Sequence, residues 1–183
     1  GEKITDIFGK EKFEFFLDFE GEAKDLTGNH QATVNKTVTF EEGYFGQSAN
    51  FSQGSVLLDD CALGEGPITI GAWIKSDQIQ PRSLLMASKP LSTEGDGFYL
   101  AASNEGLTFG ARNGNVRNSF PPYFPYDVNE GWIHILIVVD NTTITQYTDF
   151  KLADGQSFAR ANVPSGAFPI AIGSNPAGNH APA

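Results

Sequence analysis

Two short stretches of this chain carry residues whose types and spacing could do chemistry. Asp25-Leu26-Thr27-Gly28-Asn29 gathers a carboxylate, a hydroxyl and an amide around a glycine. Calcium takes hard oxygens from carboxylate, amide and backbone carbonyl, and a compact turn supplies them close together. Asp25 is the first expected Ca2+ ligand and Asn29 the second. The other reading of the same residues is an ordinary Asx-capped turn. The second stretch is Asn118-Ser119-Phe120-Pro121-Pro122-Tyr123-Phe124-Pro125-Tyr126-Asp127. Prolines stiffen it, and Tyr123, Phe124 and Tyr126 offer flat, partly polar faces suited to stacking on a pyranose ring or to a protein contact. Its alternative is a loop folded over the core as a lid.

Other reactive side chains are sparse. Cys61 is the single cysteine, so neither an intrachain disulfide nor a thiolate metal cluster can form. Its neighbours Asp59 and Asp60 are expected to raise the thiol pKa and leave it inert. His30, His134 and His180 show no metal or triad spacing along the chain. A Gly-x-Ser-x-Gly elbow, a phosphate-cradling glycine loop and a dinucleotide fingerprint are all missing. No catalytic residue is assigned.

The elements that must position these residues are strands. Gly131 to Val139 is an apolar, β-branched run that opens on Gly-Trp and stops at Asp140, and Pro67 to Lys75 repeats the pattern around Trp73. These two runs are expected in the inner layers of an antiparallel β-sandwich, with Trp73 and Trp132 in its core. His134 is expected to be packed or to face an edge. Further strands are expected at Lys12 to Glu20, Ala32 to Phe40, Gly43 to Phe51, Ser55 to Leu58, Ser83 to Ser88, Gly97 to Ala101, Gly106 to Ala111, Thr143 to Lys151 and Pro169 to Gly173. Asn113-Gly114 favours a tight hairpin, because both residues tolerate positive φ.

Composition bounds the rest. The chain has 183 residues, 40% of them hydrophobic, which suits one β-sandwich domain spanning 1–183. Its 12 basic and 22 acidic residues give a formal charge of −10, a field that repels phosphate backbones and anionic lipid heads. Nucleic acid is therefore not an expected partner. No apolar run approaches the roughly 20 residues of a membrane helix, so direct membrane insertion is not expected either. The start carries no basic-then-apolar leader.

The order of several pieces resembles bacterial laminin-G-like (concanavalin A-like) lectin domains. Those pieces are Leu17-Asp18-Phe19-Glu20, Asp25 to Asn29, Gly43 to Phe51, Ile68 to Lys75, Gly97 to Leu100, Gly131 to His134, Tyr147 to Lys151 and Ile170 to Gly173. The resemblance runs from about Phe13 to Gly173 and implies an all-β jelly roll. It also implies a non-catalytic carbohydrate-binding or adhesion module, with a glycan or glycoprotein as ligand. Such a module would belong to a larger bacterial polypeptide that is extracellular, periplasmic or on the cell surface. Related domains often bind Ca2+ at the turn that corresponds to Asp25 to Asn29.

Two departures stand out. Phe150 occupies a position where the family usually has glycine, and the chain stops before the usual final strand with its Asp-Glu pair. The fold class also contains glycoside hydrolases, and those resembling β-glucanases carry Glu-x-Asp-x-Glu along one strand. Here the three positions are Phe16, Asp18 and Glu20, so the nucleophile is missing. A structural spacer domain and a hydrolase with another acid pair are the alternative functions.

Overall fold

A computed structural model describes residues 9, 12–59, 61, 67–75, 83–88, 97–103, 106–113, 116–119, 131–139, 144–149, 151–152 and 169–174. In chain order its strands are β1 (Ala32–Glu42), β2 (Gln47–Leu58), β3 (Ile68–Ile74), β4 (Ser83–Ala87), β5 (Gly97–Ser103), β6 (Gly106–Asn113), β7 (Val116–Ser119), β8 (Ile133–Val139), β9 (Ile144–Thr148), β10 (Lys151–Leu152) and β11 (Ile170–Ile172). They form a seven-stranded sheet, β1-β2-β11-β4-β5-β6-β7, and a four-stranded sheet, β10-β9-β8-β3. Every pairing is antiparallel, as expected for an all-β sandwich. Among the described residues no helix is long and apolar enough to cross a membrane.

Strand β8 explains how the core is built. Ile133, Ile135, Ile137 and Val139 are buried, whereas His134, Leu136 and Val138 between them are only partly so. A period of two sends alternate side chains to opposite faces, so one face enters the core and the other looks outward. Leu58, Ile70, Met86, Phe98, Leu100 and Ile170 meet the buried face of β8 from both sheets. Strand β11 lies between β2 and β4, with Ile170 opposite Leu58 and Ala171 opposite Ala87, and so closes the middle of the larger sheet.

The two tryptophan-bearing runs lie side by side: β3 pairs directly with β8, Trp73 opposite His134, and β3 ends the strand order of the smaller sheet among the described residues. The structure corrects three expectations about elements. The segment 12–20 is not a strand; Phe19 adopts φ 55°, which breaks extended geometry. Gly43 to Gly46 form a hairpin tip instead of the start of a strand, and Gln47 to Leu58 form one long strand rather than short ones, paired with β1 across a register shift between Thr37 and Thr39. Thr143 to Lys151 is two strands: Asp149 turns left-handed at φ 48°, and Lys151 folds back opposite Thr148.

Candidate functional site

The hairpin between β1 and β2 builds an aromatic platform outside the core. Gly43 donates its N–H to the Gly46 carbonyl at 2.9 Å, and Gly46 takes φ 63°, closing a tight tip over Tyr44 and Phe45. The tip projects both rings: Tyr44 is 49% exposed and Phe45 72%. Tyr44 lies face to face with the indole of Trp73, ring centroids 3.9 Å apart and planes 12° from parallel. Phe45 meets Trp73 edge to face at 5.8 Å and Tyr44 at 4.6 Å.

Trp73 takes part because of its parity in β3. Ile68, Ile70, Ala72 and Ile74 face the core, so Trp73 points to the other side, where the β1–β2 tip covers it. This corrects the core position expected for Trp73. The other tryptophan, Trp132, is half-buried just before β8 begins. His134 shares the outward face, 5.1 Å from the Trp73 ring. Asp149 clamps its backbone: the His134 N–H donates to Asp149 Oδ1 at 2.9 Å, and the Asp149 N–H donates to the His134 carbonyl at 2.9 Å. Burial lowers the imidazole pKa, against the smaller upward pull of Asp149. Two stacked rings with a third, exposed ring at right angles present apolar faces bordered by a phenol hydroxyl, a surface suited to stacking rather than to bond breaking.

Glu20 holds this tip from behind. Its Oε1 accepts the Gln47 N–H at 3.0 Å, and Asp18 Oδ1 accepts the Glu20 N–H at 3.4 Å. The carboxylate pair of the sequence thus serves backbone donors in a bent segment, not one face of a strand. Tyr123, Phe124 and Tyr126 lie outside the described residues. Sequence reasoning passed over Tyr44 and Phe45. The available signal was two adjacent aromatics between Gly43 and Gly46, since a hairpin tip has no core side on which to hide both.

Asp25 is buried, 3% exposed, and satisfied by four donors. Oδ1 accepts the N–H groups of Phe16 and Thr27, each at 3.0 Å, while Oδ2 accepts the Thr27 hydroxyl at 2.6 Å and the His30 N–H at 3.0 Å. Burial pushes its pKa upward, but the hydrogen bonds together outweigh that and hold it below the usual carboxylate value. Asn29 gives its side-chain amide to the Phe13 and Glu14 carbonyls at 3.2 and 3.1 Å. Both residues therefore pin the segment 13–16 to the turn. A calcium ion drawing on Asp25 would have to displace donors already in place.

The Cys61 thiol is buried, and its pKa is pushed up to about 12 by desolvation and then by the charges of Glu14 and Asp25. The direction agrees with the sequence, and these two carboxylates come from segments distant along the chain. His30 Nε2 lies 3.0 Å from Glu14 Oε1, a pairing that spacing along the chain does not reveal.

Comparison with known proteins bears on the whole sandwich. Among curated proteins none matches the chain in sequence. In solved structures the chain is similar to the botulinum neurotoxin serotype D/C VPI 5993 binding domain, with TM-score 0.66 and 16% identity over 89% of this chain and 43% of that one. The binding domain of botulinum neurotoxin DC in complex with SialylT gives TM-score 0.62 and 15% identity over 85% and 42%. Domain 4 of AbnA, a GH43 extracellular arabinanase from Geobacillus stearothermophilus in complex with arabinotriose, gives TM-score 0.57 and 16% identity over 82% and 77%. The chain spans less than half the length of the neurotoxin chains it matches. Identities this low establish a shared fold. The family described as the Concanavalin A-like lectin/glucanases superfamily matches residues 49–183, and this chain, with its two antiparallel sheets, belongs to that laminin G-type family.

Proposed function

We propose that this chain is a non-catalytic carbohydrate-binding or adhesion module within a larger bacterial polypeptide, secreted or on the cell surface, and that Tyr44, Phe45 and Trp73 hold the sugar. The observation that carries the reading is the platform itself: a stacked Tyr44 and Trp73 pair with Phe45 standing 72% exposed beside it. Leaving a large aromatic ring in water forfeits roughly 1.5–3 kcal/mol of burial, and a ligand with an apolar face recovers it. A pyranose or furanose ring has such a face and also hydroxyls for the phenol of Tyr44 to bond. Two solved neighbours that share the fold are complexes with SialylT and with arabinotriose, which supports glycan as the ligand class. Tyr123, Phe124 and Tyr126 are a second proposed contact with the same ligand.

A glycan array that includes arabinan fragments and sialylated oligosaccharides tests the reading. Phe45→Ala should weaken the best hit by roughly 1 kcal/mol or more while the melting temperature barely moves, since an exposed ring contributes little to the fold. Trp73→Ala should lose binding and some stability together, because it also removes the partner of Tyr44. Tyr123→Ala and Tyr126→Ala read the second surface in the same assay. An array without hits, or a hit indifferent to Phe45 and Trp73, would transfer the assignment to a structural spacer domain or to another surface.

A further inference from the structure

Glu14, His30 and Cys61 come from three separate segments, yet one potential ligand atom of each lies within 4.8 Å of the other two. His30 Nε2 and Glu14 Oε1 are 3.0 Å apart. Around a tetrahedral zinc ion, with ligands about 2.0–2.3 Å from the metal, the ligand atoms stand roughly 3.3–3.8 Å from one another. Small side-chain adjustments would take the observed triangle to that geometry. We propose that Glu14, His30 and Cys61 form a binding site for a zinc-class divalent cation, with a fourth position open to water on the Glu14 side.

The donor set decides the metal class. A thiolate and an imidazole with a carboxylate favour zinc or cobalt over calcium or magnesium, which prefer oxygen alone. The site is also graded in exposure, which provides an entry path: Cys61 is 4% exposed, the His30 side chain 9% and the Glu14 side chain 53%.

The surrounding backbone holds all three positions in advance of any ion. Asp25 accepts the N–H of His30 with one oxygen and the N–H of Phe16 with the other, so one buried carboxylate ties together the turn carrying His30 and the segment carrying Glu14. The Asp59 N–H donates to the Gln31 carbonyl at 3.1 Å and brings the end of β2, and Cys61 just beyond it, alongside His30. A hydrogen bond between His30 and Glu14 accounts for those two residues without accounting for a thiol beside them. On binding, the sulfur coordinates as thiolate and its proton passes to solvent; nothing is oxidised or reduced. The ion would cross-link the N-terminal segment to the start of β1 and the end of β2.

Cobalt(II) titration of the chain, kept reduced with a thiol-free reductant, tests this. One equivalent should bind with a thiolate-to-cobalt charge-transfer band in the near ultraviolet and be displaced by zinc but not by calcium. Cys61→Ser should abolish the band, and His30→Gln should weaken binding about tenfold or more. Glu14→Gln, an exposed change that leaves the fold intact, should weaken it severalfold. A wild-type chain without the band, a band that persists in Cys61→Ser, or an affinity unchanged in both His30→Gln and Glu14→Gln would overturn the site. If Cys61→Ser does not fold, the other two variants decide the matter. Glycan binding plays no part in this measurement, so the two readings stand or fall separately.

Discussion

Glu20 accepts a hydrogen bond from the backbone N–H of Gln47 at 3.0 Å, and in doing so braces the hairpin tip that displays Tyr44 and Phe45. The contact joins an irregular N-terminal segment to the β1–β2 tip, positions 27 residues apart in sequence. It gives the acidic residue most suggestive of hydrolysis a positioning role.

Two results follow for Glu20. Reducing-end assays on β-glucans, xylans and galactans should show no turnover, and turnover that vanishes in Glu20→Gln would contradict this. Glu20→Ala should weaken glycan binding by roughly two- to tenfold, the equivalent of the 0.5–1.5 kcal/mol of one hydrogen bond. Glu20→Gln keeps an oxygen acceptor and should stay near wild type.

Gly46 is the companion to that brace. Its φ of 63° is left-handed, and a Cβ there would run into the Glu20 carboxylate. Gly46→Ala should cost about 1–2 kcal/mol from backbone strain alone, read by denaturant unfolding. Adding Glu20→Ala should recover the part due to the clash. Strict additivity of the two changes would show that the residues do not touch.

Asp25 should dominate the acid limb of stability. Its folded pKa lies below the ordinary value of 3.8, so its contribution is complete above 3.8 and is lost as pH falls through the lower, folded value. Asp25→Asn should flatten that limb. It should also cost about 2 kcal/mol or more at neutral pH, because charge-assisted bonds become neutral ones and an amide cannot accept four donors. With these donors in place, calcium and chelator samples should melt together. A calcium-dependent rise of about 5 °C or more, absent in Asp25→Ala, would instead establish the ion expected from the Asp25 and Asn29 turn.

The sequence by itself determined the sandwich. A long apolar, β-branched run marks a strand wherever it occurs, and Ile133 to Val139 could be read as one without help from any neighbour, although which alternate residues are buried was seen only in the structure. Turn chemistry placed a hairpin near Asn113 but set Asn113 in the turn itself, whereas the structure pairs it with Val116 at the end of β6. The turn at Asp25 was legible as one of the two readings its residue types allow. Only the tertiary structure decided which face Trp73 shows. Parity within β3 and its pairing with β8 send the ring outward, where Tyr44 from the other sheet covers it. Sequence spacing likewise could not bring Glu14, His30 and Cys61 to one point or turn Glu20 toward Gln47. Such contacts depend on how segments far apart in the chain are stacked, and local composition holds no record of that stacking.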